Sequence, residues 1–301
     1  MILVTLLIAS CNKPISYGNL TINIGYSVNG KPLITDSLCY TNEAGNEFLI
    51  TEIQWFISNL MLQNEQGEWV ELSHRNKSDK TSKTFYIDTN ILESQTLQIS
   101  SIPIGEYNAM RFTFGLDEED NLTGLFSNPP ETNMFWPEPL GGGYHYMKLN
   151  GKYLTENNEL APLNIHLGIG QNEDHTEFYQ NYFTVELPLD LYITENADNQ
   201  LYLTMIIDNW FRNPNLYDFN EFGSAIMQNQ AAQQLLKENG QNVFTAMQNL
   251  ENENNIAMKN DKVLKSLNQF KQNAAPKPHF WTWKNVQQLL KQIKDSNKNR
   301  L

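Results

Sequence analysis

Met134, Trp136, His145 and Met147 lie within one short stretch, NMFWPEPLGGGYHYMKLNG (residues 133–151), and a further histidine, His166, follows in LNIHLGIG. Imidazole nitrogen ligates copper in both of its oxidation states, and thioether sulfur is a soft donor suited to Cu(I). A His-x-Met pair on an extended chain brings the two donor types to one side, because alternate residues share a face. That alternation groups His145 with Met147 and Leu149 and sets Tyr144, Tyr146 and Lys148 opposite them. In the second segment Asn164, His166 and Gly168 share a face, and if the two segments pair as neighbours His166 approaches His145. The candidate metal ligands are therefore His145, His166, Met147 and Met134, with Trp136 as an adjacent aromatic open to oxidation. The competing reading has the same residues only packing: methionine fills gaps in cores, and tryptophan supplies large apolar area.

A second donor group is GLDEEDNLTG, residues 115–124. Asp117, Asp120 and Asn121, with Glu118 and Glu119 between them, carry hard oxygens of the kind calcium takes. Their spacing is not that of an EF-hand loop, and a solvated acidic turn is the alternative. His74 in a polar loop and His279 between prolines read as exposed and idle. Cys39 has no partner for a disulfide in the mature domain, and a lone cysteine in a strand-like segment reads as a small buried hydrophobe. The signatures of a nucleophile elbow, a phosphate loop, a dinucleotide site, a His-Glu-x-x-His zinc site and a Cys-x-x-Cys pair are missing, so the expectation is a protein that is not an enzyme. A net charge of −13 over 301 residues argues against a nucleic-acid partner, which needs a basic face.

The elements that must position these residues are strands. From Leu20 to Phe211 apolar residues recur at every second position between turn signals, as in NLTINIGYSV, closed by Asn29-Gly30. Regular short strands without intervening helices predict a mainly β fold, an antiparallel β-sandwich of immunoglobulin-like or related type. Hydrophobic residues at 40% and aromatics at 11% are enough for a real core. The period changes after Trp210, where FNEFGSAIMQNQAAQQLLKENGQNVF reads as helical with Gly240 as its C-terminal cap. The domain is drawn over 20–246, and residues 247–301 are expected to be a helical C-terminal extension whose Trp281 and Trp283 could meet a partner.

The N-terminus, MILVTLLIASC, reads as an address label. Its apolar run is shorter than the roughly 20 residues that cross a bilayer and fits the core of a secretion signal. Ile8-Ala9-Ser10-Cys11 resembles the lipobox of bacterial lipoproteins, which implies a signal segment drawn as 1–11 that ends at Cys11, with Cys11 lipidated as the new N-terminus and 12–19 as a polar tether. The expected location is the cell envelope, periplasmic or at the outer membrane, with the membrane as partner through the N-terminal lipid.

Several motifs resemble the MbnP-like family when taken in order. These are Tyr40, Asn42 and Gly45 before Trp55-Phe56-Ile57-Ser58-Asn59, then SIPIGEYNAMRFTFGLDEEDNLTG, then Met134-x-Trp136 with the Gly-Tyr and Lys148-x-x-Gly151 pattern, then His166-Leu167-Gly168, and a late ENGQNVF. The resemblance covers residues 20–246 and implies an extracytoplasmic β-sandwich. The family's founders accompany a copper-scavenging peptide, methanobactin. Some relatives hold copper through histidines beside a tryptophan oxidised to kynurenine, with a di-haem peroxidase-like protein as the oxidising partner. Here the nearest histidine after Trp136 is nine residues on, and Pro-Glu-Pro follows the tryptophan where a second aromatic is usual. The resemblance implies a lipid-anchored copper-binding protein for acquisition or storage. The alternative is a non-enzymatic envelope binding module, for a protein or glycan, with no metal.

Overall fold

The computed structural model describes residues 15–74, 80–172, 174–223 and 225–248. The signal segment with Cys11 and the helical extension with Trp281, Trp283 and His279 lie outside the described residues. The longer strands are β1 (Tyr17–Val28), β2 (Glu47–Asn64), β3 (Thr84–Asp88), β4 (Thr96–Pro103), β5 (Gly105–Phe114), β6 (Met147–Leu154), β7 (Leu160–Leu167), β8 (Phe183–Ile193), β9 (Asp198–Ile206) and β10 (Phe244–Gln248). Strand β1 thus takes in residues drawn above as tether, and β10 runs past the boundary at 246.

Two sheets face one another. The first runs β10-β9-β1-β4 and the second β7-β6-β2-β5-β8, with β3 also on β2. The chain is mainly β, a sandwich as the period-two pattern predicts. Pairing between these strands is antiparallel except for β1 and β9, which run parallel from Asn19↔Asp198 to Ser27↔Ile206. Alternation in β1 hides Leu20, Ile22 and Ile24, while β9 hides Leu201, Leu203 and Met205. From the other sheet Trp55 and Phe114 stack at 5.8 Å, and Phe244 of β10 reaches Trp55 at 5.3 Å and Phe112 at 5.2 Å. The Trp55 indole N–H donates to the Tyr26 hydroxyl across the sheets at 3.0 Å, so the buried ring leaves no donor unmet.

Strand β2 is buried on both faces at its middle, which is why its sequence is a continuous apolar run rather than an alternation. Trp55 faces the space between the sheets. Phe56 faces the other way and is covered by the long connection from β5 to β6, stacking on Phe126 at 5.4 Å. That connection is tied to a bulge in β2. Asn59 takes φ 50°, its Nδ2 donates to the Asp117 carboxylate at 2.7 Å, and the Ser58 hydroxyl donates to the Gly115 carbonyl at 2.8 Å. Asn59 suits the left-handed backbone that a bulge needs better than a branched residue would.

Helix α1 (Gln230–Gly240) opens with the Asn229 side chain accepting from the Ala232 N–H, an N-cap. Gly240 is its last residue rather than a left-handed cap. The reason for glycine is space: a Cβ there would lie 2.1 Å from Phe183 Cζ, and Phe183 is itself stacked on Phe114 at 4.8 Å. Gly240→Ala is expected to lower the unfolding free energy by roughly 1–3 kcal/mol, the usual cost of overpacking. Urea denaturation measures it, and an alanine variant of undiminished stability would mean that Phe183 can turn aside freely.

Candidate metal centre

Register places the two histidine segments side by side. Strands β6 and β7 pair with His166 opposite Lys148 and Leu167 opposite Met147, while β2 sets Gln54 beside Lys148 and Trp55 beside Met147. Two rows result. Gln54, Lys148 and His166 lie on the outer face of the sheet, and Trp55, Met147 and Leu167 lie on the face that looks into the core. Met147 therefore points away from His166. The expectation that Met147 and His145 share a strand face fails, because His145 precedes the first residue of β6 and does not follow its alternation.

His145 instead lies in the returning arm of the loop that carries Trp136. Its backbone N–H donates to the Met134 carbonyl at 2.6 Å, and its ring Nδ1 reaches the same carbonyl at 2.9 Å. A carbonyl only accepts, so Nδ1 carries the proton and Nε2 keeps its lone pair. That Nε2 is buried and has no hydrogen-bond partner. On β7, His166 Nε2 meets Asn150 Oδ1 at 2.8 Å, and the Asn150 amide faces Glu52, which fixes the oxygen toward the imidazole. By the same reasoning Nε2 of His166 is protonated and Nδ1 carries the lone pair. The two rings are 5.1 Å apart between centroids and nearly perpendicular at 84°.

Trp136 closes one side. Its ring is fully buried, 4.7 Å from the His145 ring, with its indole N–H donating to the Leu140 carbonyl at 3.0 Å. Nine residues of sequence separation are thus reduced to ring contact. Gly168 makes room for the indole, since a Cβ on it would sit 2.5 Å from Trp136 Cε3. Gly168 itself is held by two side chains that the motif reading did not single out: Gln233 of α1 accepts from its N–H at 3.1 Å, and Asn181 donates to its carbonyl at 2.9 Å. The glycine run is a conformational requirement. Gly141, Gly142 and Gly143 have φ of 116°, 69° and 77°, a succession that side-chain-bearing residues avoid. It lets the Gly143 carbonyl accept from the Trp136 N–H at 2.8 Å.

Burial, and then the charge of Lys148, push both imidazoles toward the neutral form, His145 down to about 3 and His166 down to about 4. Neutral imidazole is the form that binds metal. Met134 contributes through its carbonyl, and its side chain is fully buried. Among the described residues no group of three or more His, Cys, Asp or Glu side chains gathers as a metal cluster. Any ion here would be held by the two imidazoles and by donors of other kinds.

The acidic turn serves a structural purpose. The Asp117 carboxylate accepts from the Asn59 amide and from the backbone N–H groups of Glu119 and Asp120, at 2.7, 3.1 and 3.0 Å. Asn121 Oδ1 accepts from the Tyr144 N–H at 2.8 Å. The oxygens expected at a calcium loop from Asp117, Asp120 and Asn121 thus include several turned inward to hold the β5–β6 connection. His74, read as idle, meets the Thr84 carbonyl at 2.8 Å and lies 4.0 Å from the Phe85 ring. Cys39, read as buried, is exposed.

A family model described as MbnP matches residues 17–229. Among solved structures the chain is similar to MbnP from Methylosinus trichosporium, at 11% identity over 67% of this chain and 80% of that one, with a TM-score of 0.48. No curated protein sequence matches the chain.

The depressed imidazoles set a pH dependence. Their folded values, about 3 and about 4, lie below the ordinary 6.5, so the unfolded chain binds protons first as the pH falls. Their contribution to stability is complete above pH 6.5 and is lost progressively as the pH drops toward the folded values. Unfolding free energies at pH 7 and pH 5 should show a larger loss for the wild type than for a His145→Gln/His166→Gln variant. Equal losses would contradict burial of both rings in the neutral state.

Proposed function

The chain belongs to the MbnP family, and we propose that it is a metal-binding protein of the cell envelope, with copper as its metal and His145 and His166 as the ligand pair. The observation that carries this reading is the Nε2 of His145: a buried acceptor with no partner, on a ring whose centroid lies 5.1 Å from that of a second neutral imidazole. An orphaned buried polar atom is costly and rare in a folded chain unless it has a further use. Copper suits the pair because imidazole is a good ligand for it in both oxidation states.

The chain's own residues then have defined tasks. The Met134 carbonyl and Asn150 each take the far N–H of one histidine, which fixes tautomer and ring orientation and makes the free nitrogen more basic. Trp136 and Gly168 wall the site and keep water from the His145 ring. Copper held by the two imidazoles would supply redox chemistry, and Trp136, whose ring lies 4.7 Å from that of His145, is the residue whose oxidation is proposed. Lipidation at Cys11 would tether the domain at the envelope, in acquisition or storage, and a di-haem peroxidase-like protein is the class of partner that could supply the oxidant.

Copper titration of the purified chain under reducing conditions tests the reading. One ion per chain is expected, lost in both His145→Ala and His166→Ala. Unchanged stoichiometry in both variants would remove copper from the account. Asn150→Ala should retain the stoichiometry and weaken affinity by roughly ten- to a hundred-fold, as loss of a residue that orients a ligand does. Isothermal competition against a chelator of known affinity reads that change.

A further inference from the structure

Lys148 stands directly across from His166 in the β6–β7 register. Its ammonium donates to the Asn133 carbonyl, one residue before the carbonyl that holds His145. That bond ties it to the loop next to the residue that holds His145, in the row of His166. Glu52 is the carboxylate whose charge acts on Lys148, but its oxygens face Asn90 and Asn150. No third His, Cys, Asp or Glu joins the imidazole pair among the described residues. The charge nearest the two neutral rings is therefore the ammonium, with the Glu52 carboxylate set behind Asn150.

Repulsion between Lys148 and a bound ion scales with the ion's charge, and partial burial keeps solvent from screening it fully. A divalent ion meets twice the opposition a monovalent ion meets, with no carboxylate in the ligand pair to offset it. We propose that Lys148 is the specificity-determining residue of the site: set across from His166 and tied to the loop that holds His145, its charge confines the imidazole pair to a soft monovalent cation, Cu(I) or Ag(I), and turns away divalent ions such as Zn(II). The inference rests on the metal-binding reading of the pair and deepens it.

The test uses the full chain with Cys11→Ser and Cys39→Ser, which removes both of its thiols as rival silver ligands. Ag(I) and Zn(II) affinities are measured separately by competition titration. Replacing Lys148 by Leu, which removes the charge without adding a soft donor, should reduce the Ag(I)-over-Zn(II) preference by roughly ten-fold or more, chiefly through tighter Zn(II) binding, while Lys148→Arg should keep the preference. Circular dichroism confirms folding. If the leucine variant does not fold, Lys148→Gln replaces it, since glutamine can still donate to the Asn133 carbonyl. An unchanged preference in the neutral variants, with silver binding still dependent on His145, overturns the role of Lys148 alone. Absence of His145-dependent silver binding in the parent chain overturns the metal reading and this inference with it.

Discussion

One carbonyl oxygen decides the chemistry of this protein. The Met134 carbonyl accepts both the backbone N–H and the ring Nδ1–H of His145. The first bond closes the loop that carries Trp136, and the second assigns the tautomer of the ring. Because both come from the same residue, closing the loop also leaves Nε2 as the ring's buried free acceptor. A side chain on a loop is normally less well placed than one on a strand. Here two hydrogen bonds to one acceptor fix the ring of a loop histidine, where His166 is placed by the register of β7.

Everything else in that region supports the closure. The three glycines take left-handed backbone so that the chain can turn back on Trp136. Gly168 offers a bare backbone for the indole to lie on. Gln233 and Asn181 hold that backbone from helix α1 and the segment before β8. The bulge at Asn59 and the inward-turned Asp117 anchor the start of the same connection to the central strand. The motifs that mark the family therefore fall mostly on the joints of one excursion over the outer face of a sheet. Their shared purpose is to bring a loop and a strand to a common point.

Electrostatics follow from this placement. Two imidazoles removed from water, with a lysine ammonium in the same outer row as one of them, resist protonation because burial and a like charge both disfavour the cationic form. The nearest carboxylate the structure gives, Glu52, is turned to Asn90 and Asn150 rather than to the rings.

Much of the architecture was legible along the chain, because a strand's period of two and its turn residues are local properties. The strands of β1 and β9, the helix near residue 235, and the doubly buried run of β2 all follow from which side chains alternate and which do not. The approach of His166 to His145 was legible as well, since neighbouring segments with a short turn between them pair by default. The side on which Met147 lies was not. Where β6 begins is set by which backbone groups find partners in β2 and β7, and that pairing starts at Met147, two residues after His145. Nor could spacing reveal that the Asp117 carboxylate faces inward, that Gly240 yields to Phe183, or that Lys148 stands across from His166. Residue type and period determine that a segment is extended and which residues could carry chemistry. Register, loop closure and the partner of each buried nitrogen are agreements between distant parts of the chain, and only the folded structure makes them.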